Sequence, residues 1–249
     1  MKIDLNSDLG ESYGAYKVGM DGEILKYVSS VNIACGFHAG DPMVMDKTVE
    51  IAIANNVKIG AHPGLPDLMG FGRRIMNVST EEVKNYMVYQ VGALMAFVKK
   101  RGGTLNHVKP HGALYNMASK DKKLADAVVE AVKSIDENLI LFGLPNSEVE
   151  KSALEHNIKF KNEVFADRGY TDQGLLVPRN EPGAFVEGAK NCAERIATMV
   201  NKKEVMSVNN NPVRITADTV CVHGDNLKSL EFVKALKVKL ENIGFKIEG

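Results

Sequence analysis

The chain has 249 residues, of which 45% are hydrophobic and 25% are charged, a composition that supports a buried core and excludes a disordered chain. Basic and acidic side chains are equal in number, 31 of each, which argues against a nucleic-acid-binding protein because such a protein needs a basic face. No apolar run approaches the ~20 residues of a membrane span, and the first residues lack the apolar stretch of a signal peptide. Cys35, Cys192 and Cys221 have no metal-type spacing, which favours reduced thiols. We therefore expect a cytoplasmic globular protein that binds neither nucleic acid nor membranes.

Short apolar runs alternate with longer helical patterns along the chain. The apolar runs predict seven strands, at 3–6, 31–35, 57–61, 105–109, 139–143, 160–165 and 219–223. Between and after them, helices are predicted at roughly 41–55, 80–101, 121–134, 146–156, 184–202 and 226–243. Asp41 before Pro42, and Ser79 followed by Glu82, are typical helix starts, whereas Gly102 is a typical helix end.

Strands separated by helices predict parallel pairing. No linker or composition shift divides the chain, so the economical prediction is one domain over residues 1–249. Its predicted architecture is a (β/α) barrel of about seven parallel strands. An open doubly wound sheet is the alternative, because periodicity does not show whether the sheet edges close.

Polar side chains cluster directly after the predicted strands. Four of the six histidines (His38, His62, His111 and His223) occupy strand ends, and Asp8, Glu11 and Lys109 lie in the same kind of position. In parallel α/β architectures the carboxyl ends of the strands share one face, where side chains from distant segments converge on a ligand. This face is the predicted site.

Two kinds of chemistry fit these residues. An aspartate with two or three histidines matches the donors of a divalent ion such as zinc, which polarises water or a carbonyl group. Alternatively, a histidine or aspartate acts as a base without a metal, and Lys109 stabilises developing negative charge. The candidate catalytic residues are Asp8, Glu11, His38, His62, Lys109 and His111.

A glycine-rich loop at 64–74 ends in Arg73 and Arg74. Arginine pairs match phosphate or carboxylate oxygens, so the loop is either an anion clamp or a solvated flap whose arginines pair with surface acids. The sequence contains neither a G-x-x-x-x-G-K-[ST] loop nor a G-x-G-x-x-G fingerprint, so we expect no nucleotide cradle in this chain. His107 lies within a strand and is expected to be a buried core histidine.

Seven motifs together resemble the LamB/YcsF family over nearly the whole chain. They are NSDLGE at 6–11, ACGFHAGDP at 34–42, GAHPGLPD at 60–67, GFGRR at 70–74, VKPHGALY at 108–115, ADRGY at 166–170 and VHGD at 222–225. The resemblance implies the A subunit of a bacterial ATP-dependent 5-oxoprolinase, which opens the 5-oxo-L-proline lactam to L-glutamate together with B and C subunits. ATP is then a co-substrate, and a partner subunit is the expected place for it to bind.

The resemblance also implies a barrel of the glycoside hydrolase/deacetylase kind, distantly similar to metal-dependent deacetylases that use an aspartate and two histidines. By position, the nearest equivalents of those ligands are Asp8, His38 and His62. The expected substrate- and phosphate-binding residues are Asn6, Arg73, Arg74, Asp167, Arg168, His223 and Asp225. Two other functions stay open: a stand-alone metal-dependent amidase or deacetylase, and a non-catalytic subunit that only presents substrate.

Overall fold

A computed structural model gives the structure of residues 1–222 and 227–249. The strands are β1 (Lys2–Leu9), β2 (Ser30–Ala34), β3 (Lys58–His62), β4 (Leu105–Val108), β5 (Ile140–Gly143), β6 (Lys159–Phe165), β7 (Glu204–Met206), β8 (Pro212–Arg214), β9 (Thr219–Val222) and β10 (Lys246–Ile247). The helices are α1 (Asp21–Ile24), α2 (Pro42–Ala54), α3 (Thr80–Lys100), α4 (Gly112–Ala118), α5 (Lys122–Ile135), α6 (Glu148–Glu155), α7 (Ala189–Lys202) and α8 (Leu227–Asn242). A short 3-10 helix covers Leu68–Gly70.

Seven parallel strands form a closed barrel in the order β1-β2-β3-β4-β5-β6-β9. The ring closes at β1, which pairs with β2 (Asn6 opposite Ser30) and with β9 (Asp4 opposite Thr219). The predicted seven-stranded barrel is therefore confirmed, and the open-sheet alternative is wrong. Outside the ring, β7 and β8 form a small antiparallel hairpin, and β10 pairs with the beginning of β1.

The helix boundaries follow the predicted capping chemistry. The Asp41 carboxylate accepts hydrogen bonds from the first free amides of α2, and Pro42 occupies the first turn, where its missing N–H had no partner. Ser79 and Glu82 form a reciprocal capping box at the start of α3. After α3 the chain turns through Gly102, which has a positive φ of 76°.

Two boundaries differ from the prediction. The first strand extends to Leu9 instead of ending at residue 6, which places Asp8 on the strand itself. The helix predicted from residue 184 begins at Ala189, because Gly188 has a φ of 87° and the preceding segment hydrogen-bonds elsewhere, with the Val186 amide donating to the Asp167 carbonyl. No helix in the described ranges is both long and apolar enough to cross a membrane.

The interior of the barrel is polar. His107 on β4 bonds to Asn32 on β2, and Lys109 after β4 bonds to Asp8 on β1 and pairs with Glu163 on β6. These strands are not neighbours, so the contacts form across the interior of the ring. The apolar core lies around the barrel, where the helices pack, and includes Leu94 of α3 and Val128 of α5. The polar interior is what positions the candidate site.

Candidate active site

A cavity of about 580 Å³ opens at the carboxyl ends of the barrel strands. Its lining includes residues from three distant segments of the chain: Asp8 with Glu11, His62, and Lys109 with His111. The topology therefore brings together residues that lie about a hundred positions apart in the sequence, as parallel strand ends do in barrels.

Three histidines pack against one another beside this cavity. The rings of His38 and His111 stack with their centroids 3.7 Å apart and an interplanar angle of 2°, and His62 meets both edge-on. All three are buried. The Phe71 ring also packs edge-on against the rings of His38 and His111.

Hydrogen bonds fix the orientation of two of these rings. His62 Nδ1 lies 2.7 Å from the Lys109 carbonyl oxygen, and His111 Nε2 lies 2.8 Å from the Phe71 carbonyl oxygen. A carbonyl oxygen only accepts, so each of these nitrogens carries the proton and donates it. The other nitrogens, His62 Nε2 and His111 Nδ1, face each other at 2.9 Å.

Burial lowers the pKa of His38 and of His111 well below the usual histidine value, and the neighbouring imidazoles lower both pKa values further. Both rings are therefore neutral at pH 7. Neutral imidazoles act as hydrogen-bond partners, bases or metal ligands rather than as fixed positive charges.

Two glycines make room for the histidine cluster. A β-carbon at Gly64 would lie 2.7 Å from His38 Nδ1, and one at Gly72 would lie 2.7 Å from both His38 and His111. Gly72 also has a φ of 63°. The glycines at positions 64 and 72 are thus explained by packing against imidazole rings.

Lys109 is buried between carboxylates. Its Nζ lies 2.9 Å from Asp8 Oδ1, 2.8 Å from Glu163 Oε1 and 3.2 Å from Cys221 Sγ. Burial alone would lower the pKa of Lys109, but the nearby Asp8 and Glu163 carboxylates outweigh it and hold that pKa well above the usual lysine value. The ammonium group is therefore charged throughout the neutral range.

Asn32 connects the interior to the site and was not among the predicted residues. Its amide donates to Asp8 Oδ1 and to Asn6 Oδ1, both at 2.8 Å, and its carbonyl oxygen accepts from His107 Nε2 at 2.8 Å. Glu163, the fully buried partner of Lys109, was missed as well. Asn32 interrupts the apolar run of β2, but this interruption does not show which way the side chain points, and Glu163 follows Lys161 and Asn162 in a strand of mixed polarity that carries no such signal.

The arginines predicted to bind anions have different surroundings. Arg73 lines the cavity, with its guanidinium 4.9 Å from the Phe71 ring centroid. Arg74 is ion-paired with Asp67 and is not among the cavity-lining residues. Arg168 lines the cavity but donates to the carbonyl oxygens of Val177 and Ala184, so it also fixes the neighbouring segment. Burial, with the charge of Arg179, lowers the pKa of Arg168 to about 10.

The other predicted binding residues lie outside the cavity lining or outside the described residues. Asn6 is buried in the barrel interior, where it donates to Thr219. Asp167 is half-buried just before Arg168 and does not line the cavity. His223 and Asp225 lie outside the described residues. His107, expected as a core histidine, is fully buried and stacks on Phe142 with a centroid distance of 4.0 Å.

Four of the residues around the cavity could hold a divalent ion. Glu11, His38, His62 and His111 each offer one ligand atom, and these atoms lie within 4.8 Å of one another. The set shares His38 and His62 with the predicted ligands but contains Glu11 and His111 instead of Asp8. The site therefore combines a metal-type donor group, a buried ammonium and a carboxylate around one cavity.

A closed parallel barrel that presents acids, a lysine and histidines at its strand ends has the architecture of barrel enzymes. The family 4 carbohydrate esterase from Streptomyces lividans shares this fold, with a TM-score of 0.50 and 9% identity over 99% of this chain and 91% of that one. The fold is therefore the deacetylase-like barrel that was predicted.

The chain belongs to the LamB/YcsF family, whose model matches residues 3–249. It is 56% identical over 240 residues to the A subunit of 5-oxoprolinase from Campylobacter jejuni subsp. jejuni serotype O:6, covering 96% of this chain and 94% of that protein. The crystal structure of the lactam utilization protein from Thermus thermophilus superposes with a TM-score of 0.94 at 44% identity, covering 100% of this chain and 99% of that one.

Proposed function

We propose that this chain is the A subunit of an ATP-dependent 5-oxoprolinase, which opens 5-oxo-L-proline to L-glutamate in the cytoplasm. The observation that carries the proposal is the 56% identity, over nearly the full length, to a protein named as the A subunit of 5-oxoprolinase. The cavity supports it, because it combines the kinds of groups that amide hydrolysis needs.

Hydrolysis of a lactam requires a proton acceptor for the attacking water and a positive group for the carbonyl oxygen, which becomes negatively charged. Lys109 supplies the positive group: the residue lines the cavity, and its ammonium is held in place by Asp8 and Glu163. Because its pKa is raised, Lys109 stays protonated and acts through its charge, not as a base. Asp8 and Glu11 are the cavity-lining carboxylates that can take the proton from water.

The substrate carries a carboxylate, and an ATP-coupled reaction adds phosphate oxygens. Arg73 and Arg168, both on the cavity lining, are the groups we assign to these anions. Arg74 has a structural part, because its pairing with Asp67 fixes the loop that presents Arg73.

A five-membered lactam is a stable amide, which explains the need for coupling to ATP. The sequence contains neither a G-x-x-x-x-G-K-[ST] loop nor a G-x-G-x-x-G fingerprint, so we place ATP binding on the partner B and C subunits. In this division of labour the chain described here supplies the ring-opening site.

The test is glutamate release from 5-oxoproline by a mixture of this chain with the B and C subunits, assayed with and without ATP. We expect ATP-dependent glutamate only when this chain is present. Asp8→Asn should lower kcat by about a hundredfold or more, because it removes the carboxylate that accepts the proton from water and keeps nearly the same side-chain shape.

Asp136→Asn is the matched control, because it makes the same chemical change at the end of α5, away from the cavity. It should leave turnover unchanged. Equal glutamate release without this chain from an active B and C preparation would refute the catalytic assignment. ATP-independent release of acetate from N-acetylated sugars would instead identify a stand-alone deacetylase.

A further inference from the structure

We propose that Glu11, His38, His62 and His111 bind one divalent transition-metal ion and that Asp8 lies outside its ligand set. This proposal concerns metal binding alone, so it stands or falls independently of whether the chain acts on 5-oxoproline.

The four ligand atoms converge on one point beside the cavity. Glu11 Oε1 lies 3.7 Å from His38 Nε2 and 3.9 Å from His111 Nδ1, and His111 Nδ1 lies 2.9 Å from His62 Nε2. Ligand atoms that each lie ~2.0–2.2 Å from a shared zinc ion are separated by roughly 3–4 Å. The observed spacing therefore suits a single ion among these four atoms.

The tautomers of His62 and His111 favour a cation bound between the two rings. His62 Nδ1 and His111 Nε2 each donate a proton to a backbone carbonyl. With both rings neutral, the 2.9 Å contact between His62 Nε2 and His111 Nδ1 places two unprotonated nitrogens together, lone pair against lone pair. A cation between them turns this repulsion into coordination.

His38 provides a second, independent sign of a ligand. Its side chain is fully buried, yet within the described residues neither ring nitrogen has a hydrogen-bond partner. A buried polar group left unpaired costs about 1–3 kcal/mol, so such a group in a folded protein needs an explanation. Its Nε2 points towards Glu11, and coordination of an ion there removes the cost.

Asp8 lies next to this ligand set, with its Oδ2 3.3 Å from His62 Nε2, but it is not among the four residues whose ligand atoms converge. Asp8 Oδ1 accepts hydrogen bonds from Lys109 and from Asn32, and its negative charge is paired with the Lys109 ammonium. His62 and His111, in contrast, are oriented by backbone carbonyls in the way that metal-bound histidines are oriented by outer-shell acceptors. Asp8 thus remains available as a proton acceptor next to the ion.

A set of three imidazole nitrogens and one carboxylate oxygen suits zinc, cobalt and related ions better than it suits calcium or magnesium, which prefer oxygen ligands. Such an ion, when bound, polarises a carbonyl oxygen or lowers the pKa of a water molecule. Glu11, His62 and His111 line the cavity, so a molecule in the cavity can reach the ion.

The test begins with protein stripped by a chelator, titrated with Zn²⁺ or Co²⁺, passed over a gel-filtration column and analysed for metal content. Wild type should retain about one ion per chain. Glu11→Gln and His111→Gln should bind the ion at least about tenfold more weakly. Asp8→Asn should retain it, as should His156→Gln, the matched control at the end of α6.

Far-UV circular dichroism of each variant shows whether it is folded. X-ray absorption at the zinc edge of the zinc-loaded wild-type protein tests the ligand set without any substitution. The spectrum should fit three imidazole ligands per ion. Failure of wild type to retain stoichiometric Zn²⁺ or Co²⁺ would overturn the proposal. So would two imidazoles per ion, or loss of metal in Asp8→Asn with full retention in Glu11→Gln.

Discussion

Gly72 occupies a position that no other residue fits. A β-carbon there would lie 2.7 Å from His38 and His111, and the φ of 63° is strained for any residue with a side chain. We predict that Gly72→Ala lowers the free energy of unfolding by about 2–4 kcal/mol, because overpacking and backbone strain add. Urea unfolding followed by circular dichroism measures the change.

Gly92 is the matched control for this substitution. It lies on the exposed side of α3, and a β-carbon at this position would meet nothing within 4 Å, so Gly92→Ala should leave stability unchanged or raise it by up to ~1 kcal/mol. Equal unfolding midpoints for the two variants would contradict the assignment of Gly72 to the histidine cluster.

At the scale of single residues, the sequence predicts the side chains that follow strands better than those within them. Asp8, Lys109 and His111 could be found because polar residues at strand ends share one face of a parallel barrel. Asn32 and Glu163 could not be found in this way, because a polar residue within a strand points into the barrel or out of it depending on how the ring closes. That closure involves partners from distant segments.

The strand β4 carries a histidine whose protonation opposes folding. Burial lowers the pKa of His107 well below the usual value, and the charges of Lys161 and Lys109 lower it further, so the folded protein holds this ring neutral. Below pH ~6.5 the unfolded chain binds a proton at this residue that the folded chain does not. The stability due to the neutral ring is therefore present above pH 6.5 and is lost as the pH falls.

We predict that this effect removes up to about 2 kcal/mol from the free energy of unfolding between pH 7.5 and pH 5.0, at ~1.4 kcal/mol per pH unit below 6.5. His107→Gln retains a donor for the Asn32 carbonyl oxygen but does not titrate. Urea unfolding of chelator-treated protein at both pH values measures this loss. The free energy of unfolding should fall less in the variant than in the wild type, by up to about 2 kcal/mol. Identical losses would mean that His107 is protonated in the fold.

At the scale of elements, long periodic segments were predictable and short ones were not. All seven barrel strands and the helices α2, α3, α5 and α6 lie within a few residues of their predicted bounds. The helix α4 has only seven residues, too few for a helical period to show, and it starts directly after Pro110 and His111. The hairpin β7–β8 has three-residue strands, which carry equally little pattern.

At the scale of the whole molecule, β9 is the strand on which closure depends, because it pairs with both β6 and β1. We predict that a chain ending after residue 217 does not unfold cooperatively, since it lacks β9 and α8 and leaves two unpaired sheet edges. A chain ending after residue 245 lacks only β10 and should stay folded, with a loss of about 1–2 kcal/mol. Gel filtration and urea unfolding distinguish the two.

The shorter truncation serves as the internal control for the longer one, because both remove the C-terminus. A monomeric, cooperatively unfolding fragment that ends at residue 217 would show that the barrel is stable without closure. In that case the interior bonds between non-neighbouring strands would not depend on the last ring strand.

The pairing of β1 with β9 also determines when the protein can assemble as it is made. Asp4 bonds to Thr219, 215 positions later, so β1 leaves the ribosome well before β9, the strand with which it pairs. At roughly 5–20 residues per second, translation keeps these partners apart for about 10–45 s. Throughout that interval β9 is missing from the ring, so the interior of the barrel, with Asp8 and Lys109, is open between β6 and β1. The candidate site is therefore enclosed only after β9 has been made, in the same step that closes the ring.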